Sequence, residues 1–61
     1  MEKLKEAVFQ EMYMPTESNK RILAEETARC VEQYGKDTTD SVIEGTRQRI
    51  IAELGVVRHG F

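Results

Sequence analysis

The sequence predicts an all-α domain of three helices, spanning about residues 2–14, 16–34 and 39–54. Three observations lead there. Apolar residues recur at helical rather than alternating spacing along most of the chain. Pro15 and Gly35 interrupt that pattern at two places, and Gly55 ends it. The chain has 61 residues, 39% of them hydrophobic, which provides for one small domain over 1–61 and is too aliphatic for complete disorder.

In the first helix Leu4, Val8 and Met12 stand at i, i+4 and i+8, with Phe9 beside them. Glu2 and Glu6 favour the positive end of its dipole. Tyr13 and Met14 extend the apolar patch. Pro15 disfavours helical backbone at the residue before it, which sets a boundary near Met14. Thr16 or Ser18 then caps a new start.

The second helix carries Leu23, Thr27, Cys30 and Tyr34 as one stripe, flanked by Ala24, Ala28 and Val31. Glu25 and Arg29 form an acid-to-base pair at i,i+4. Ala24 and Ala28 allow another helix to come close. Gly35 follows Tyr34 and suits a left-handed C-terminal cap.

Lys36–Asp40 is polar and reads as the connection to the third helix. Ser41-Val42-Ile43-Glu44 has the capping-box pattern, and Thr38 and Thr39 are rival caps. Ile43, Ile50 and Leu54 share a face that Val42 and Ile51 broaden. Gly45 inside this helix costs about 1 kcal/mol relative to Ala, which points to close backbone approach at Ala24 or Ala28. Val56 after Gly55 can make the apolar contact of a Schellman cap. The ending VVRHGF is half apolar, with Val57 and Phe61 available to dock on a core or a partner.

Size sets a further expectation. Folding removes roughly 6,000 Å² from water, of which about 3,500 Å² is apolar, worth about 90 kcal/mol. Ordering the chain costs about 1.5 kcal/mol per residue, again about 90 kcal/mol in total. The two cancel, so a helical homodimer is the expected state. A lone cysteine forms no internal disulfide and fits a reducing compartment. The first dozen residues alternate charge with apolar character, unlike a secretory signal. No apolar run approaches the roughly 18 residues of a membrane span. The expectation is a cytoplasmic chain away from the membrane.

No catalytic, metal, cofactor or nucleotide signature is present. Cys30 lies on the apolar arc and reads as a small buried hydrophobe. The only histidine, His59, is far along the chain, so no Cys–His pair or four-ligand zinc set is written into the sequence. Gly35, Gly45, Gly55 and Gly60 are too dispersed for a phosphate loop. These features predict a protein that is not an enzyme.

Two binding readings remain. Phe9, Met12, Tyr13 and Met14, with Ile43, Ile50, Leu54, Val57 and Phe61, are candidates for a self-interface or a protein-binding surface, because methionine adapts to varied surfaces and tyrosine favours interfaces. Alternatively Arg47, Gln48 and Arg49 are suited to guanine and adenine edges, as in a small DNA-binding regulator. Against DNA stand the net charge of −2 and the length of Gly35–Asp40, longer than a usual helix-turn-helix turn.

In its length, its charged helical pattern from Met1 to Leu54 and its VVRHGF ending, the chain resembles the small early proteins encoded in the exo–xis region of lambdoid bacteriophages. The resemblance implies an accessory protein made early in the bacterial cytoplasm. It also implies action on host cell-cycle progression or the lysis–lysogeny choice through a host or phage protein. It transfers no site residues.

Overall fold

The computed structural model describes residues 1–55. Three helices succeed one another: α1 over Glu2–Tyr13, α2 over Glu17–Tyr34 and α3 over Lys36–Leu54. No strand occurs among the described residues. The all-α architecture expected from the periodicity is therefore the observed one, and each helix packs against both others.

α1 and α2 are antiparallel. At one end the Asn19 side chain reaches the carbonyls of Gln10 and Met14. At the other, Met1–Leu4 lie beside Cys30, Gln33 and Tyr34. Pro15 sets the turn as its chemistry requires. Met14 adopts extended backbone (φ −138°, ψ 94°), so α1 stops at Tyr13. Thr16 is the N-cap of α2, its side chain accepting from the Asn19 N–H at 3.1 Å, while Ser18 lies inside the helix.

The core is small. Leu4, Ala7 and Val8 of α1 and Cys30 of α2 are buried, as is Thr39 of α3. Leu4 and Val8 mark the stripe that the sequence predicts, and Cys30 is buried where that stripe continues on α2. Leu23, Thr27 and Val31 are half-buried, but Ala24 and Ala28 are exposed. The inward face of α2 is thus rotated away from the two alanines. Larger residues on the neighbouring stripe bury more surface.

The start of α3 differs most from expectation. It begins at Lys36 rather than near Thr39, and the polar run expected to be a connection is its first turn. Gly35 alone joins α2 to α3. Thr39 is 0% exposed, and its Oγ1 donates to the Gly35 carbonyl at 2.8 Å. Seating Thr39 in the core fixes helical backbone one turn earlier than a side-chain cap does. The N-terminus of α3 has no side-chain cap, and Ser41–Glu44 lies within the helix. Glu44 accepts from Gln48 Nε2 at 3.0 Å instead of capping.

Gly35 has positive φ (96°) but ψ 157°, so it is not the left-handed cap expected of it. Gly55 is one, at φ 66° and ψ 24°. The expected ion pair of Glu25 with Arg29 is replaced by Glu26 with Arg29. Among the described residues no helix is long and apolar enough to cross a membrane.

Candidate functional site

α1 supplies the most conspicuous apolar surface. Phe9 and Tyr13 stand one turn apart, which brings their rings together on one side of the helix. The rings stack at 5.9 Å between centroids with 9° between planes. Phe9 is half-buried, Tyr13 is 68% exposed and Met14 is 53% exposed. Met12 is half-buried. Phe9 and Tyr13 therefore form a short apolar ridge along the last turns of α1.

This ridge continues into an open groove of about 640 Å³ between α1 and α3. Phe9 forms its α1 wall, while Val42, Gly45, Thr46 and Ile50 form the α3 wall. Gly45 comes near neither Ala24 nor Ala28: a Cβ built there meets nothing within 4 Å. The glycine widens the groove rather than admitting a neighbouring backbone. Charges of both signs rim it, namely Glu2, Lys3, Lys5, Glu6 and Arg49. An apolar floor with a mixed charged rim suits a segment of protein that is apolar on one side and polar on the other.

The residues proposed from sequence divide between two places. Phe9 and Ile50 both line the groove, Tyr13 stacks on Phe9 beside it, and Met14 is exposed just past the end of α1. Ile43 is half-buried and does not line the groove. Val57, Phe61 and the side chain of Leu54 lie outside the described residues, as does His59. Sequence reasoning missed Val42, Thr46 and Gly45 as groove residues. It also missed Ile22, which is 49% exposed beside a second depression lined by Lys3, Glu6, Gln10 and Glu26. The doubled aliphatic positions Val42-Ile43 and Ile50-Ile51 carried the signal for a two-sided face on α3. One member of each pair lines the groove and the other, also half-buried, does not.

Arg47, Gln48 and Arg49 do not share a face. Arg47 is half-buried, and its Nε is buried with no hydrogen-bond partner among the described residues. Gln48 donates to Glu44, and Arg49 Nε donates to Glu53 Oε2 at 3.1 Å. Successive helical residues point about 100° apart, so three adjacent side chains fan around the axis. The turn before this helix is also not the long one expected, since Gly35 alone makes it.

Cys30 is a free, buried thiol. Among the described residues no group of three or more His, Cys, Asp or Glu is placed to hold a metal ion. No protein-family model, curated protein or solved structure matches the chain. The functional reading therefore rests on the surface just described.

Proposed function

We propose that this chain is a non-enzymatic accessory protein that acts by binding another protein along the α1–α3 groove and the Phe9–Tyr13 ridge. The observation that carries the reading is the aromatic stack of α1. Tyr13 keeps 68% of its surface open and is continuous with an apolar groove. Aromatic anchors beside a pocket are where protein–protein binding energy concentrates. A helix from the partner, with an apolar stripe toward Phe9 and Ile50 and charges toward the rim, is the fitting occupant. The likeness to early proteins of lambdoid phages supplies the setting, a bacterial cytoplasm with a host or phage protein as partner. Self-association into a dimer belongs to the same reading, since among the described residues four buried apolar side chains make a small core.

The test is retention of a specific protein from infected and uninfected bacterial lysates by the immobilised full chain. Wild type retains a partner, and Tyr13→Glu loses it while keeping the same helical circular dichroism. Failure of the folded wild type to retain any specific protein counts against the reading. An electrophoretic shift with duplex DNA, run on the same preparation, separates it from nucleic-acid binding.

A further inference from the structure

We propose that Gly35 is a hinge at which α2 and α3 straighten into one helix, so that two copies of the chain exchange their α3 helices. The inference deepens the self-association part of the reading above. Its test uses no partner protein, so its failure is distinct from failure of the lysate experiment.

The backbone around Gly35 carries the argument. The Gly35 N–H donates to the Val31 carbonyl at 2.8 Å, and the Thr39 N–H donates to the Gly35 carbonyl at 3.1 Å. Both are the i→i−4 bonds of an α-helix. The bend interrupts only three such bonds. The N–H groups of Lys36, Asp37 and Thr38 have no partner among the described residues, and α3 has no side-chain cap to supply one. One turn upstream, the carbonyls of Glu32, Gln33 and Tyr34 end α2 equally open. These are the three pairs that a continuous helix would join. Moving one residue, Gly35, from φ 96° to helical backbone brings them together. The contacts already present on the α3 side, Thr39 Oγ1 to Gly35 and Lys36 Nζ to Asp40, lie within one turn and survive the change.

Straightening lifts α3 off α1 and α2, baring Thr39 on α3 and uncovering Leu4, Val8 and Cys30 on the helices it leaves. The surface that fits them is the inner face of α3 itself. A second copy offers it, and two-fold symmetry gives that copy the same cover in turn. Exchange of identical elements restores every packed seam between subunits. A one-residue joint is the kind that invites such exchange. Tyr34, 48% exposed in the last turn of α2, sits beside the hinge, where two straightened helices would cross. The α1–α3 groove would then have one wall from each chain.

Gly35→Ala tests the hinge. Alanine is strained at φ 96° and is the best helix former, so the substitution penalises the bend and favours the straight chain. The expected result is a helical dimer of twice the 7.0 kDa chain mass by light scattering. Spin labels at Lys20→Cys and Ala52→Cys, in a Cys30→Ala background so that opening exposes no third thiol, report the intrachain distance when labelled chain is diluted with unlabelled; both labelled positions are exposed. Within the bundle that distance cannot much exceed the longest dimension of 32 Å. Along one helix it is about 48 Å at ~1.5 Å per residue. A helical Gly35→Ala chain with the short distance overturns the proposal, whether monomer or dimer. If Gly35→Ala loses its helicity, the wild-type chain decides with the same labels. A component near ~48 Å that grows with concentration supports exchange, and its absence at every concentration overturns it.

Discussion

The two joints of this molecule reverse the chain by different physical means. Between α1 and α2 the turn is wired by side chains. Pro15 forces Met14 out of the helix, Thr16 caps the next one, and Asn19 Nδ2 donates to the Met14 carbonyl at 2.7 Å and toward the Gln10 carbonyl at 3.3 Å. Between α2 and α3 a single glycine turns the chain, no side chain caps the new helix, and the nearest polar wiring is Thr39 within α3. The first joint holds its geometry locally. The second depends on how α3 packs against the other two helices, which is why exchange is assigned to Gly35 and not to Pro15.

The most damaging substitution removes what both joints share. Leu4 is 0% exposed on α1, which packs against both helices that the joints connect, and Leu4→Ala removes a large side chain from a very small core among the described residues. A loss of about 2–5 kcal/mol is expected, enough to abolish cooperative thermal unfolding in so small a chain. A clear transition within a few degrees of wild type would show that neither joint relies on this core.

A milder substitution tests the contrast directly. Asn19→Ala strips the first joint of two hydrogen bonds and makes it resemble the second. At ~0.5–1.5 kcal/mol per bond, a loss of about 1–2 kcal/mol in urea denaturation is expected. No measurable change would mean that Pro15 and Thr16 fix the turn without it, and the wiring would not distinguish the joints.

The slightest effect concerns Lys36, just past the glycine joint. Its Nζ donates to Asp40 Oδ2 at 2.7 Å, and this hydrogen bond, aided by the carboxylate charge, raises its pKa above the ordinary 10.5. A raised value means that the protonated form is favoured on folding. The contribution is complete below 10.5 and disappears as pH rises through the raised value. The pair is well solvated and Lys36 opposes the dipole at the start of α3, so the gain is slight. Wild type and Asp40→Asn should differ slightly in melting temperature near neutral pH and converge above 10.5. A difference that persists in strong base would trace to something other than the ammonium.

The number of helices, the position of the first turn and the ends of α2 and α3 are legible from the residues alone. Those features express local chemistry: a proline ring acts on its neighbour, and glycine, with no Cβ, can take the positive φ seen at Gly35 and Gly55. The residues also put Leu4 and Val8 on one apolar stripe, and name Phe9 and Ile50 as surface candidates without showing that packing brings both to one groove. Packing settled the rest. The start of α3 at Lys36 reflects the burial of Thr39, which outweighs caps worth about 1 kcal/mol. The outward turn of Ala24 and Ala28, the open space at Gly45 and the half-burial of Arg47 have the same origin. Periodicity defines an arc on each helix. In this chain the arcs are broad, and only three helices packed together select which edge of each arc faces in.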